Sequence, residues 1–124
     1  MKKLIITLLL TCTIIFPVQA KEYAQNMHVT CYCPESCKGR ITYTGVEVRE
    51  GIAAVTEDKI GMIADVYTRN GEYIGTYECL DKIGTGKKTV IDIWKPNLDS
   101  AKALMAKTEG KVIVYFYTHK KQAL

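Results

Sequence analysis

Only one stretch of this chain has the apolar periodicity of an α-helix, and this limits the folds open to it. From Leu98 to Lys107 apolar residues recur on one helical face, Asn97 precedes them as an N-cap, and Gly110 follows as a stop. The remainder divides into about six or seven short β-rich runs separated by turn residues. Repeated β–α–β units would need a helix between successive strands, so a single helix disfavours them. We therefore expect a mainly β fold, a small closed barrel with one C-terminal α-helix before the last strand.

Turn residues place the strands along the chain. Asn70-Gly71 is the strongest hairpin signal, because a type I′ turn needs positive φ at both central residues. Thr56 is suited to cap a short helical turn that begins with two acidic residues. The strands are expected over residues 27–33, 40–44, 51–55, 65–68, 72–79, 90–94 and 111–117, with residues 21–26 as a polar lead-in.

The first twenty residues have the pattern of a secretory signal peptide. Two lysines precede an apolar run that ends at Phe16, and Ala20 is the small residue that a signal peptidase prefers. The run is too short for a membrane span, although an uncleaved anchor remains the alternative. A lipoprotein signal at Cys12 is a poorer match, because almost no apolar run precedes it. We expect residues 1–20 to direct secretion and to be removed.

The remaining chain, residues 21–124, is long enough for one domain with one core. Loss of the two N-terminal lysines lowers a formal net charge that is only +4 for the whole chain. Dedicated nucleic-acid binding would require a basic stripe, which so small a charge does not supply. We expect a monomer in the cell wall, the periplasm or the medium. It should have no nucleic-acid partner, no stable membrane insertion after cleavage, no cofactor and no metal.

Four cysteines lie beyond the signal peptide. An even number in a small exported domain favours disulfides, but the sequence does not choose among the three possible pairings. We predict one bridge between Cys33 and Cys37, across a Pro-Glu-Ser turn, and another between Cys31 and Cys79. The alternative is a zinc site that uses the cysteine cluster and His28, although the spacing lacks the paired Cys-x2-Cys units of structural zinc sites.

Two carboxylates flank a loop rich in glycine and lysine. Asp81 follows the strand-like run YIGTYEC, and Asp92 lies between Ile91 and Ile93 in the run TVIDIW. A carboxylate between two isoleucines in a strand either faces solvent or is held where its charge is costly. In the second case its pKa rises, as a general acid that works near neutral pH requires.

From Val29 to Tyr117 the chain resembles the 3D domain, a small double-psi β-barrel of bacterial cell-wall proteins named for three aspartates. VTCYC resembles the T-A-Y-C opening of the family, ITYTG its T-A-x-G segment, and GIAAV its G-x-I-A-V-D-P segment. The stretch from Asp81 to Asp92 resembles D-T-G-G-x-I-K-G-x-x-I-D in its aspartate spacing and in Lys87. IDIW, SAKAL and VIVYFY resemble the I-D-L-Y segment, the helix and the final strand. The same barrel carries the active site of the membrane-bound lytic transglycosylase A family, so the resemblance implies a six-stranded double-psi β-barrel.

The resemblance also implies an activity. It is the cleavage of the MurNAc–GlcNAc bond of peptidoglycan glycan strands, with a single carboxyl as acid and then base. Asp92 falls at the position of the presumed catalytic aspartate, and Asp81 is the second carboxylate. Trp94, which shares a strand face with Asp92, could stack on a sugar ring. The other substrate-binding candidates, given by the resemblance, are Thr44, Tyr32 and Lys87.

The chain departs from the family pattern at several positions. Thr56 stands where the first aspartate belongs, with Asp58 two positions later, and Lys82, Ile83 and Lys88 replace a threonine and two glycines. These departures favour an alternative, a non-catalytic wall-binding or interaction module on the same barrel. A plain glycoside hydrolase is a third possibility, which requires two carboxyls that flank the bond.

Each candidate residue also has a purely structural interpretation. Asp92 could be an ordinary outward residue of a strand, Asp81 could cap the loop that follows it, and Lys87 could be a solvated loop charge. Trp94 is typical of a partly buried core residue. The pattern of Tyr73, Tyr77, Tyr115 and Tyr117 is that of strand packing.

Overall fold

The structure is a computed structural model that describes residues 22–34, 40–84 and 86–118. The predicted signal peptide, Cys12 and Cys37 lie outside these ranges. Six strands and one helix follow in order: β1 Glu22–Tyr32, β2 Ile52–Val55, β3 Met62–Thr68, β4 Tyr73–Lys82, β5 Val90–Trp94, α1 Leu98–Thr108 and β6 Lys111–Thr118. The prediction of a mainly β fold with one α-helix before the last strand is confirmed.

The six strands form a closed barrel in the order β1-β5-β2-β4-β3-β6, and β6 pairs with β1 to complete it. The pairs β1–β5 and β2–β4 are parallel, and the other four are antiparallel. This mixture is consistent with the double-psi barrel that the resemblance implies. Closure pairs every strand on both sides, so the sheet presents no free edge.

Alternation of side chains fills the barrel with β-branched and aromatic residues. Ile91 and Ile93 of β5 are fully buried in the core, where they meet Val114 and Phe116 of β6. β2 is buried on both faces, which explains its run of small apolar residues. α1 covers part of the barrel with its buried Ala101 and Leu104, and no helix in the described ranges is long and apolar enough to span a membrane.

The ends of α1 agree with the sequence prediction. The Asn97 side chain accepts a hydrogen bond from the Ser100 amide at 2.8 Å, which satisfies one of the free N–H groups at the helix start. At the other end Glu109, with φ 55, adopts the left-handed conformation, and Gly110 follows with φ 77. The helix therefore ends just before Gly110, as the sequence predicted.

The predicted β3–β4 hairpin is present, but its turn is not type I′. Gly71 has φ 93, whereas Asn70 is not among the described residues with positive φ. The Gly71 amide donates to the Thr68 carbonyl at 2.9 Å, and the Thr68 amide donates to the Glu72 carbonyl at 2.8 Å. This is the form of a longer hairpin loop, in which one left-handed glycine follows the turn instead of occupying its centre.

Three other segments differ in part from the predicted ones. β1 begins at Glu22, five residues before the predicted strand, because the polar lead-in pairs with β6 from Glu22 to His28. The predicted strand at 40–44 is instead a turn closed by an isolated bridge between Ile41 and Glu47. The helical turn after Thr56 is confirmed as a 3-10 turn over Glu57–Lys59, but Thr56 makes no side-chain cap.

Candidate functional site

A β-bulge in β4 turns Asp81 onto the outer side of the barrel. Ala53 of β2 pairs with Cys79 of β4, and both side chains face the core. The register then shifts, so that Asp81 pairs with Ala54 and Leu80 is the extra residue. A one-residue shift reverses the face on which the following side chains lie. Without it Asp81 would occupy a core-facing position.

The bulge places Asp81 in one row with Asp92. Ala54 pairs with Asp81 on one side and with Asp92 on the other, and Asp92 pairs with Thr30. We call these four residues, Thr30, Asp92, Ala54 and Asp81, the carboxylate row. Neighbouring strands lie about 4.8 Å apart, so the Cα atoms of the two aspartates are about 10 Å apart along the sheet.

Asp81 is buried, at 2% relative exposure, and both of its oxygens are engaged. Oδ1 accepts hydrogen bonds from the Tyr43 and Lys82 amides, each at 2.9 Å. Oδ2 accepts from the Tyr32 hydroxyl at 3.3 Å and pairs with Arg40 Nη2 at 3.2 Å. A carboxylate with four such partners has little capacity left for a substrate. The contacts support the interpretation of Asp81 as a structural anchor for residues 40–43.

Thr44 strengthens the same anchor. Its amide and its hydroxyl both donate to the carbonyl of the bulged Leu80, at 3.2 and 2.9 Å. The neighbouring Thr42 is buried, and its hydroxyl accepts from the Val46 amide at 3.1 Å. The structure therefore places Thr44, a predicted substrate-binding residue, in contact with the backbone next to Asp81.

Asp92 lies on the outer side of β5 and is only partly exposed. Its Oδ1 accepts a hydrogen bond from the Thr30 hydroxyl at 2.9 Å. Burial raises the pKa of Asp92 above its ordinary value, and the charge of Asp81 adds to this. The Thr30 hydrogen bond and the charges of Arg40 and Lys87 act in the opposite direction without cancelling the rise. Asp92 therefore faces outward, as the structural interpretation predicted. It also lies where burial disfavours its charged form.

Tyr32 and Trp94 pair across β1 and β5 beyond Asp92. Tyr32 is buried, and the Arg40 guanidinium lies 5.7 Å from the centre of its ring. Trp94 is partly buried and packs against Tyr32 and Ala54, and its Nε1 is buried without a hydrogen-bond partner. Packing is therefore the observed role of Trp94, and the structure does not present it as an open platform.

Lys87 lies in the exposed loop between β4 and β5. Its charge lowers the pKa of Asp92, so the loop brings the ammonium group within electrostatic reach of that carboxyl. Lys87 is therefore a solvated loop residue whose charge acts on Asp92.

Asp58 is bonded within its own turn. Thr56 donates to Asp58 Oδ1 at 2.6 Å, and Lys59 lies 3.4 Å from Oδ2. The hydrogen bond from Thr56 is the main cause that lowers the pKa of Asp58. Asp58 lies in a cleft of about 250 Å³ with Lys82, and its contacts are to its own turn rather than to the carboxylate row.

The predicted disulfide between Cys31 and Cys79 is not formed, because both residues are free thiols. β5 and β2 separate their strands on one side of the barrel, β3 and β6 on the other. A disulfide requires Cα atoms within about 7 Å, which strands on opposite sides of a barrel do not provide. The pairing of Cys33 with Cys37 stays a prediction, since Cys37 is outside the described residues. In the described part of the chain no three His, Cys, Asp or Glu side chains are placed to share a metal ion.

Sequence reasoning missed two residues of the site. Arg40 pairs with Asp81, and Thr30 bonds to Asp92. Alternation along β1 puts Thr30 on one face with Tyr32, but only the β1–β5 register shows that Asp92 is the partner of Thr30. Arg40 belongs to an irregular segment, whose path over the barrel has no periodic signal in the sequence.

The fold and site together define a closed six-stranded β-barrel with a half-buried carboxyl on its outer face. Comparison of the chain with protein families, with curated proteins and with solved structures found no match. The resemblance to the 3D domain accordingly stays a prediction based on sequence motifs.

Proposed function

We propose that this chain is an exported, lytic transglycosylase-like enzyme that cleaves the glycan strands of peptidoglycan with Asp92 as its single acid/base. The observation that carries the proposal is the environment of Asp92. This carboxyl is half-buried on the outer side of β5, has a raised pKa, and receives a hydrogen bond from Thr30 on one oxygen. A raised pKa keeps more of the carboxyl protonated near neutral pH, which a general acid requires.

In the proposed reaction the protonated Asp92 gives its proton to the glycosidic oxygen between MurNAc and GlcNAc. The bond from that oxygen to C1 of MurNAc breaks, and positive charge develops at C1. The Asp92 carboxylate then takes the proton of the C6 hydroxyl of the same MurNAc. The C6 oxygen bonds to C1, which gives a 1,6-anhydro end and returns the proton to Asp92. Water is not consumed, and neither a metal nor a cofactor takes part.

The contacts of Asp81 favour a mechanism with one catalytic carboxyl over a mechanism with two. Asp81 holds Arg40 and accepts from Tyr32 and from two backbone amides, so both of its oxygens are already occupied within the protein. A hydrolase with a carboxyl pair would require both groups to exchange protons or to attack the sugar. In the proposal Asp81 and Arg40 hold the segment that borders the site. Thr30 orients Asp92, and Lys87 contacts the glycan, while Trp94 packs beneath the site against Tyr32 and Ala54.

Digestion of purified peptidoglycan, with mass analysis of the released fragments, tests the proposal. The wild-type protein should release anhydro-muropeptides and Asp92→Asn should not, because Asn keeps the shape and the Thr30 contact but carries no transferable proton. Asp99→Asn, at an exposed position in the first turn of α1, is the matched control and should retain activity. An inactive wild-type protein, or an active Asp92→Asn variant, would contradict the proposal.

A non-catalytic wall-binding module is the second candidate, favoured by the contacts around Asp81 and Thr56. Asp81 is engaged within the protein, and the residue at the first aspartate position is a threonine that bonds to Asp58. Cosedimentation of the protein with intact sacculi, without release of any fragment, would favour the module over the enzyme.

A further inference from the structure

A second surface with the composition of a ligand site lies on a different side of the barrel from Asp92. Here β6, β3 and β4 direct four tyrosines outward around one carboxylate. Tyr67 pairs with Tyr73, and Asp65 pairs with Tyr115 on one side and Thr76 on the other. We call the set Tyr67, Tyr73, Tyr115, Tyr117 and Asp65 the tyrosine face. The sequence pattern predicted strand packing here, but Tyr73 and Tyr115 are 53% and 39% exposed.

The rings of the tyrosine face surround a concave surface. The ring of Tyr67 lies 5.5 Å from that of Tyr73 and 5.6 Å from that of Tyr115, both in edge-on contact. A cleft of about 440 Å³ is lined by Asp65, Tyr67, Gly71, Ile113 and Tyr115. Its size is within the range of small-ligand sites, and neighbouring rings fix the orientation of Tyr67 before any ligand arrives.

Asp65 supplies the polar centre of the face. Its Oδ1 accepts from the Thr76 hydroxyl at 2.6 Å and from the Tyr117 hydroxyl at 3.2 Å. The Tyr73 hydroxyl is 2.6 Å from that of Thr76 and extends the chain of hydrogen bonds. Among the described residues, the hydrogen bonds from Thr76 and Tyr117 both end on Oδ1, so Oδ2 of Asp65 is left as an acceptor.

We propose that the tyrosine face is a binding site for an uncharged saccharide segment. In this mode the C–H face of a sugar ring packs on Tyr115, the edge of the sugar contacts Tyr67, and a sugar hydroxyl or amide donates to Asp65 Oδ2. The proposal does not rest on catalysis at Asp92, because such a face would hold a glycan chain for an enzyme and for a binding module alike.

The chemistry of the face favours a saccharide over other ligands. Protein interfaces are depleted of charged residues at their centre, whereas here the centre is a carboxylate and the apolar groups surround it. The carboxylate also repels anionic ligands such as phosphates. Rings that offer apolar faces next to free acceptors match a sugar, which has C–H groups on its faces and donors at its edges.

Titration with N-acetylglucosamine oligomers, followed by amide NMR shifts in the Asp92→Asn background, tests the proposal without any cleavage. The shifts should concentrate at Asp65, Tyr67, Thr76 and Tyr115. Tyr115→Ala should weaken the affinity about tenfold, the scale of one lost aromatic contact. Tyr115→Phe, which keeps the ring, and Leu98→Ala, which removes an exposed apolar side chain on α1, should change the affinity less than about twofold. If Tyr115→Ala does not fold, Tyr73→Ala, which removes the more exposed ring that holds Tyr67 in place, should also weaken the affinity.

Several results would overturn the proposal. One is the absence of saturable shifts, and another is shifts confined to the carboxylate row. Equal affinity of Tyr115→Ala and the wild-type protein is a third. Concentration-dependent dimerisation that Tyr115→Ala abolishes, without saccharide binding, would assign the face to a second copy of the chain instead. The proposed function is tested by a different measurement, the release of anhydro-muropeptides. A failure of saccharide binding at the tyrosine face can therefore be distinguished from a failure of the proposed enzyme activity.

Discussion

The Thr30 hydroxyl donates a 2.9 Å hydrogen bond to Asp92 Oδ1 from the neighbouring parallel strand. This bond favours the ionised form of Asp92 and therefore opposes the rise in pKa that burial causes. Thr30 thus limits how far the pKa of the proposed catalytic acid rises.

Replacement of Thr30 by valine should raise the pKa of Asp92. Valine has nearly the same shape, and it removes the hydrogen bond while the burial stays. In an active enzyme the fall in rate at high pH, which follows loss of the Asp92 proton, should move to higher pH. An NMR titration of the Asp92 carboxyl carbon measures the pKa directly. Thr76→Val, whose hydroxyl bonds to Asp65 on a different side of the barrel, is the control and should leave the pKa of Asp92 unchanged. A lower pKa in Thr30→Val would contradict the prediction.

Asp92→Asn should stabilise the fold near neutral pH and not in acid. The pKa of Asp92 is raised in the folded state, so between its unfolded and folded pKa values the native protein binds more protons. Stability is therefore lost as pH rises through this window, and asparagine removes that loss. At low pH both states are protonated and the benefit disappears.

Chemical denaturation of the wild-type protein and Asp92→Asn, at about pH 7 and about pH 3, measures this difference. Gain in stability with loss of activity is a common trade-off at functional sites. Asp99→Asn, on the exposed start of α1, controls for the removal of a negative charge. Equal stability of Asp92→Asn and the wild-type protein at both pH values would show that the carboxyl carries no cost of burial.

Cys31 and Cys79 should behave as protected thiols. Burial raises the pKa of Cys79 to about 12, and burial together with the charge of Asp92 raises that of Cys31 to about 11. The thiolate is the reactive form, so both should react slowly with iodoacetamide at about pH 8 and fully after unfolding. Cys79, which is completely buried, should be the slower of the two. Mass analysis after timed alkylation measures the rates, and a Cys31–Cys79 bridged peptide would contradict the structure.

Local signals predicted most of the fold. A single periodic stretch with Asn97 and Gly110 at its ends indicated α1, and a β-branched run indicated β5. These features depend on near neighbours in the chain, which the sequence displays. The start of β1 was missed because residues 22–26 are polar, and they form a strand through their long-range pairing with β6.

The candidate site was less predictable, because its geometry depends on a register shift. Nothing in YECLDK marks Leu80 as the extra residue of a bulge, yet the bulge decides which way Asp81 faces. The pairing of Arg40 with Asp81 joins residues 41 positions apart through an irregular segment. The Cys31–Cys79 prediction failed for the same kind of reason, since the strand order, not the cysteine count, determines which strands are adjacent.

Asp81 should matter more for stability than for chemistry. Asp81→Ala removes a buried carboxylate and leaves the Tyr43 and Lys82 amides and the Arg40 guanidinium without their partner. We expect a loss of about 2 to 4 kcal/mol in the free energy of unfolding, because unpaired groups retain their desolvation cost. Glu78→Ala removes the Arg49 ion pair, in which both side chains are about half exposed, and should cost less than about 1 kcal/mol.

Urea denaturation of the two variants beside the wild-type protein measures the difference. Arg40→Ala should cost less than Asp81→Ala, because it leaves Asp81 with three of its donors. Equal stabilities for Asp81→Ala and Glu78→Ala would contradict the role of Asp81 as an anchor. If Asp81→Ala instead kept its stability and lost peptidoglycan cleavage, Asp81 would share the chemistry with Asp92. The order of the three variants in stability therefore shows whether Asp81 holds residues 40–43 in place or acts on the glycan.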